Sequence, residues 1–193
     1  MNEAASAGAS AERRGFLELV ACSDAELTRI LGAGTAPAFD DLVGWEFDGA
    51  NTAKSAHLIG AAKFRKGFYE GPPLRPGGPE PFIQGYNIDV RSGPLTEAWH
   101  AKPSDQAPTR KFFYRVHAVV PGARHSRFEN ALLLDYGLTA KFSVASPLRD
   151  YLVQVYPDDP DLLLGRAYYA LGPVSIPLSF FVLKRWARHD FRG

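Results

Sequence analysis

The sequence predicts a mostly β protein, an antiparallel barrel of about seven to eight strands with N-terminal helices and one helix after the first strand. Seven segments place apolar residues at every second position, as half-buried strands do. Turns rich in Pro, Gly or Asp separate most of them. The 193 residues, of which 46% are hydrophobic, suffice for one core. A strand meander of this size has to protect its edges, and closure into a barrel removes them.

The beginning of the chain predicts a tail followed by helices. Residues 1–13 are rich in Ala, Ser and Gly, which bury too little apolar surface to offset the entropy of ordering, so a disordered tail is expected before a single domain over residues 14–193. Between Arg14 and Leu31 apolar residues recur at helical spacing, and residues 23–26 (Ser-Asp-Ala-Glu) have the form of a capping box. One or two short helices are therefore expected.

The strands follow in chain order. A first strand is predicted around Trp45 and Phe47, entered through a helical turn. Residues 57–69 combine apolar side chains with three basic ones at a spacing closer to a helix than to a strand, which predicts a basic amphipathic helix. Residues 71–81 hold five Pro and three Gly and predict a surface loop. The other predicted strands span residues 85–91, 111–120, 130–137, 150–156, 162–171 and 175–185.

Composition and motifs narrow the classes of function. A net charge of +1 gives no general attraction for nucleic acid, and one Cys cannot form an internal disulfide, which fits a reducing compartment. No segment has the length and hydropathy of a signal peptide or a membrane span, so a cytoplasmic protein without an integral membrane segment is expected. The Gly-x-Ser-x-Gly, P-loop and His-Glu-x-x-His signatures of common hydrolases and nucleotide-binding proteins are absent from the sequence.

The predicted strands carry several candidate site residues. The even positions of residues 111–120 are expected to face the interior, among them Tyr114, whose ring and hydroxyl suit the wall of a cavity. Arg166 and Tyr168 share one face of their strand, and whether that face lies inside or outside stays open. Asp135 and Arg149 lie at the ends of successive strands and form either a structural lock or a site. His117 is either an outward surface residue or an axial haem ligand.

Four segments resemble known proteins. Residues 130–136, 148–155, 161–168 and 180–185 are similar to the β-rich C-terminal region of calycin-like bacterial proteins of unknown function. These proteins also carry a Gly-x-Trp-x-Gly segment on the first strand, where this chain has Gly44 and Trp45 directly adjacent. The resemblance implies a lipocalin-like barrel that holds an apolar small molecule or haem, and a basic residue of the last strand, Lys184 or Arg185, packed over Trp45. No catalytic residue follows from it.

The resulting hypothesis is a barrel whose cavity binds a hydrophobic or amphipathic small molecule without a cofactor, haem being the alternative. An enzyme on the same scaffold, such as an isomerase, cyclase or hydratase that uses acid–base residues in the cavity, is the second hypothesis, and an interaction module using the Pro-rich loop is the third. A metal site is not expected. The candidate ligand-binding residues are Trp45, Tyr86, Tyr114, His117, Asp135, Arg166 and Tyr168.

Overall fold

Eight antiparallel strands close into a barrel in which each strand pairs with the next along the chain and β8 pairs back with β1. This confirms the predicted fold class in a computed structural model that describes residues 13–52, 62–71, 82–138 and 144–193. The predicted tail up to residue 12 and the proline-rich residues 72–81 lie outside the described residues. The strands are β1 Trp45–Asn51, β2 Lys63–Gly71, β3 Phe82–Asp89, β4 Arg110–Ala118, β5 Leu132–Asp135, β6 Leu148–Tyr156, β7 Asp159–Leu171 and β8 Val174–Arg188.

Three helices precede the barrel: α1 Phe16–Val20, α2 Asp24–Ala33 and α3 Phe39–Leu42. The predicted capping box begins α2, because the Ser23 hydroxyl accepts from the Glu26 amide and the Glu26 carboxylate accepts from the Ser23 amide. The apolar faces of α1 and α2 pack on the outside of β6, β7 and β8. Among the described residues no helix has the length and apolar character that a membrane crossing requires.

The helix predicted after the first strand is wrong where the structure describes it. Residues 63–71 form β2, and residues 57–61 of the predicted helix lie outside the described residues. Lys63, Arg65 and Lys66 suggested one solvated helical face, yet all three side chains are buried. Lys63 and Arg65 point outward and Lys66 points inward. Because basic residues lie on both faces of β2, the sequence lacks the alternation of polar and apolar residues that would identify a strand.

Four strand glycines accept an aromatic ring from the residue directly opposite on the neighbouring strand. The pairs are Gly49–Phe64, Gly67–Tyr86, Gly85–Tyr114 and Gly165–Phe181. A Cβ atom at Gly165 would lie 2.0 Å from the Phe181 ring, so a larger residue cannot keep this packing. These contacts let aromatic side chains lie flat across the barrel wall.

The inside of the barrel has two different halves. Toward α3 it is filled by buried apolar side chains, including Phe47, Phe68 and Leu183, and Leu42 of α3 closes this end. Toward the opposite end the filling stops at a layer of polar side chains. The lumen is therefore half core and half open pocket.

The connection between β3 and β4 folds back over the outside of β2. The Lys63 ammonium donates to the backbone carbonyls of Pro94, Glu97 and Ala98 and lies over the Trp99 ring. These contacts anchor the connection against the wall of the barrel.

Candidate functional site

The open half of the barrel forms a pocket of about 440 Å³, which we call the mouth pocket. This volume lies within the range of small-molecule sites. Its apolar wall comes from β2, β4, β6 and β8 and from the inner face of β7. The wall residues are Phe64, Phe112, Leu148, Ala167, Leu178 and Phe181.

A group of four polar side chains, Lys66, Asn87, Tyr136 and Asp150, forms the floor of the mouth pocket, and we call it the floor group. The Lys66 ammonium donates to the Asp150 carboxylate at 3.1 Å, to the Tyr136 hydroxyl at 2.6 Å and to the Asn87 carbonyl oxygen at 3.0 Å. The Tyr136 hydroxyl in turn donates to Asp150 at 3.1 Å. The floor group thus combines an ammonium, a carboxylate and a phenol in direct contact.

Strand alternation explains how the floor group converges. Tyr136 follows Leu132 and Leu134 at the inward positions of β5, and Asp150 lies between the inward-facing Leu148 and Leu152 of β6. Lys66 occupies the corresponding inward position of β2, between Phe64 and Phe68. Strands β2, β3 and β6 and the 3-10 turn that directly follows β5 (Tyr136–Leu138) therefore contribute one polar side chain each at one level of an otherwise apolar lumen.

Burial shifts the protonation of the floor group. Desolvation lowers the pKa of the Lys66 ammonium, although the Asp150 carboxylate opposes this effect. Desolvation also raises the pKa of the Tyr136 phenol well above its ordinary value, with the charge of Asp150 acting in the same direction. The two shifts bring the amine closer to neutrality and keep the phenol protonated.

Phe112 enters the pocket wall through an irregular backbone. Its φ of +49° lies in the left-handed region, which a bulky residue rarely adopts. The register of β3 and β4 shifts here, so that Phe112 and Phe113 together oppose Tyr86 in a β-bulge. The bulge turns Phe112 toward the mouth, where its ring is 38% exposed and lines the pocket.

The rim of the mouth pocket is basic and its outer edge is apolar. The charged side chains that line the pocket are four lysines and two aspartates, a formal excess of two positive charges. Beside the rim, the β7–β8 hairpin exposes four apolar side chains, Leu171, Val174, Ile176 and Leu178. An approaching molecule meets apolar surface and positive charge together.

Two of the predicted site residues face the lumen. The Tyr114 ring lies directly below the floor group, with the Lys66 ammonium 4.7 Å from its centre. Trp45 lies at the closed end, where the guanidinium of Arg185 is 4.5 Å and that of Arg188 is 4.3 Å from the centre of its indole. Arg185 is one of the two basic residues expected over this Trp.

The other five predicted residues lie on the outer face of the barrel. The Tyr86 hydroxyl donates to Glu46 at 2.8 Å, Asp135 pairs with Arg149 at 3.2 Å, and Arg166 contacts Asp24 at 3.3 Å. Tyr168 belongs to the apolar cluster under α1 and α2. His117 lies at the opposite end of the barrel from the mouth pocket, its Nδ1 within 3.0 Å of the Ala118 carbonyl oxygen.

No histidine lines the mouth pocket in the part of the chain that the structure describes. Binding of haem through His117 at the opposite end stays a prediction. Within residues 13–52, 62–71, 82–138 and 144–193, no group of three or more His, Cys, Asp or Glu is arranged to hold a metal ion.

None of Lys66, Asn87, Phe112, Tyr136 and Asp150 was among the predicted site residues. For Tyr136 and Asp150 a signal exists in the sequence, since each lies in phase with two nearby leucines. The sequence gives no such signal for Lys66, because the adjacent basic residue, Arg65, points to the opposite face of β2.

Comparison of the chain with protein-family models, with curated proteins and with solved structures finds no match. The geometry of the mouth pocket therefore carries the functional conclusion by itself.

Proposed function

We propose that this protein binds an amphipathic small molecule in the mouth pocket, with the polar end of the molecule at the floor group and its apolar part along the aromatic wall. The observation that carries the proposal is the closed barrel with a half-filled lumen, in which a pocket of about 440 Å³ combines an apolar wall with a floor of convergent polar groups. Small-molecule sites typically combine these two features.

Three further features support binding in this pocket. The net positive charge of the side chains lining the pocket attracts a ligand that carries a negatively charged or electron-rich group. The exposed apolar hairpin beside the rim gives an alkyl or aryl chain a surface to approach along. The left-handed backbone at Phe112 is maintained at the pocket wall, and strained residues of this kind concentrate at binding sites. Arg185 over Trp45 at the closed end agrees with the proposed relation to calycin-like proteins.

A fluorescence titration tests this function. We expect 11-(dansylamino)undecanoic acid to bind the full-length chain at one site with a blue-shifted emission, and decanoic acid to displace it. Ala167→Phe places a ring in the pocket and should weaken binding by about tenfold or more. Ala118→Phe, an exposed strand position at the other end of the barrel, is the matched control and should bind like wild type. Equal binding by both variants, or none by the wild type, contradicts the proposal.

An acid–base enzyme at the same pocket is the second candidate. The observation that favours it is the direct contact of Lys66, Tyr136 and Asp150, an amine with a lowered pKa beside a phenol with a raised one. Turnover would appear as protein-dependent exchange of the protons next to the carbonyl of 2-decanone in D2O, followed by NMR. Exchange that persists unchanged in Asp150→Asn would speak against a role for the floor group.

A further inference from the structure

The Lys66 amine has surroundings that differ from those of the other lysines at the mouth pocket. Its side chain is 3% exposed, yet it forms part of the pocket floor. Four aromatic rings surround it, with ring centres 4.7–5.6 Å from Nζ. Among the described residues, the carboxylate that forms a salt bridge with this ammonium is that of Asp150, at 3.1 Å.

The other pocket lysines are held in different ways. Lys63 points outward and is bound to three backbone carbonyls. Lys111 pairs with Asp89 and is partly exposed, and Lys102 is exposed. Lys66 therefore combines burial, access to the pocket and an adjacent proton acceptor.

We propose that Lys66 forms an imine with the carbonyl carbon of an amphipathic aldehyde bound in the mouth pocket. The inference rests on the proposed function of this pocket and names the reactive group of its ligand. Desolvated lysines in apolar pockets form Schiff bases because the neutral amine is the nucleophile.

The floor group supplies the proton transfers for this step. Asp150 accepts a proton from the Lys66 ammonium at 3.1 Å, and the neutral amine forms a C–N bond with the aldehyde carbon. The former carbonyl oxygen receives two protons, one returned by Asp150, directly or through Tyr136, and one from the nitrogen, and it leaves as water when the C=N bond forms. One ammonium and one aldehyde thus yield one protonated imine and one water without oxidation or reduction, and Asp150, again a carboxylate, faces the protonated imine as its counter-ion.

The test uses the full-length protein, decanal and sodium cyanoborohydride, which reduces the imine to a stable secondary amine. Mass spectrometry of the intact chain should show one added decyl group, and peptide mapping should place it on Lys66. Saturating 1-decanol, which fills the pocket but has no carbonyl, should block the labelling.

Lys66→Arg keeps the charge and removes the primary amine, so rapid labelling should be lost. Lys184→Arg is the matched control, because Lys184 is an exposed lysine that does not line the mouth pocket, and it should be labelled like wild type. If Lys66→Arg fails to fold, Lys66→Met tests the loss of labelling instead. The peptide map of the wild-type protein locates the label without any variant.

The pH dependence of labelling provides an independent readout. The ionisable groups that face Lys66 across the lumen are Asp150, Tyr136 and Tyr114. Since the pKa of Lys66 is lowered, labelling at Lys66 should fall less between about pH 9 and about pH 7 than labelling of free Nα-acetyl-lysine added to the same reaction, whose amine has the ordinary pKa of about 10.4.

The outcomes separate this inference from the proposed function. Fast labelling confined to Lys66 and blocked by 1-decanol supports the imine. Dansyl-probe binding without labelling at Lys66, or with labels spread over surface lysines, overturns the imine and leaves the binding function standing. Absence of both probe binding and labelling overturns the two together.

Discussion

Arg65 and Lys66 are neighbours on β2 that point to opposite sides of the barrel wall, and both are almost completely buried, at 1% and 3% exposure. Arg65, outside the lumen, contacts Asp48 at 2.8 Å, Asp105 at 3.4 Å and Glu46 at 3.8 Å. Its guanidinium also lies 3.3 Å from the centre of the Trp186 ring.

Lys66, inside the lumen, has the carboxylate of Asp150 beside it and an open pocket above it. The difference teaches that burial alone does not identify a functional cation. Arg65 is surrounded by acids and covered by an indole, so it holds β1, β2 and the β3–β4 connection together. Lys66 lines the mouth pocket and has beside it a carboxylate that can take its proton, which are the features on which its proposed reactivity rests.

The largest effect is expected from Arg65→Met. This change leaves Asp48 and Glu46 buried without their cation, which should lower the free energy of unfolding by about 4 kcal/mol in urea titrations. Arg65→Lys keeps the charge but loses the planar contacts, and an intermediate loss is expected. A change near zero for Arg65→Met would show that Arg65 does not hold the wall together.

Lys66→Met should have the next largest effect, a loss of about 3 kcal/mol at neutral pH, because the Asp150 carboxylate then lies buried without a cation. The double variant Lys66→Met/Asp150→Leu removes both charges from an apolar lumen and should regain most of this stability. If the double variant is as unstable as Lys66→Met, the loss of stability comes from altered packing and not from the unpaired Asp150 carboxylate.

The smallest expected effect is on the pH dependence of stability, through the ionisation of the two tyrosines beside Lys66 in the lumen. Desolvation is the main cause that raises the pKa of the Tyr114 and Tyr136 phenols well above their ordinary value of 10.0. A phenol with a raised folded-state pKa contributes stability that is complete below pH 10.0 and is lost as the pH rises toward the folded-state value. Stability should therefore fall above this pH by up to about 1.4 kcal/mol per pH unit for each tyrosine.

Tyr136→Phe removes one of these groups, so its unfolding free energy should fall less steeply than that of wild type between about pH 10 and about pH 11. Urea titrations at each pH measure the two slopes. Parallel slopes would mean that Tyr136 ionises as easily in the folded chain as in the unfolded one.

Most strands could be predicted from the sequence, because period-two alternation separated by turns survives without tertiary information. All seven predicted strands are confirmed, with boundaries that differ by a few residues, and β2 is the eighth. The missed strand is the one whose charges are neutralised by distant residues. Asp48 and Asp150 come from β1 and β6, and a local pattern cannot reveal them.

The site was harder to predict than the fold, because both faces of the barrel wall are buried in places. Helices α1 and α2 cover Tyr168, and a cluster containing Phe113 and Phe191 surrounds Tyr86. An aromatic residue on a strand is therefore as compatible with an outer cluster as with the lumen. Of the seven predicted residues, Tyr114 alone lies directly against the floor group.

The sequence by itself determined the β-rich class, the helices before the barrel, the cap of α2 and the spacing of seven strands, since these depend on neighbours within a few residues. Only the tertiary structure decided which face of each strand lines the lumen, where the core filling stops, and that Lys66, Asn87, Tyr136 and Asp150 meet. Closure and register bring these four side chains to one level, and the bulge at Phe112 and the ring of Phe181 shape the space above them. That arrangement depends on contacts between distant residues.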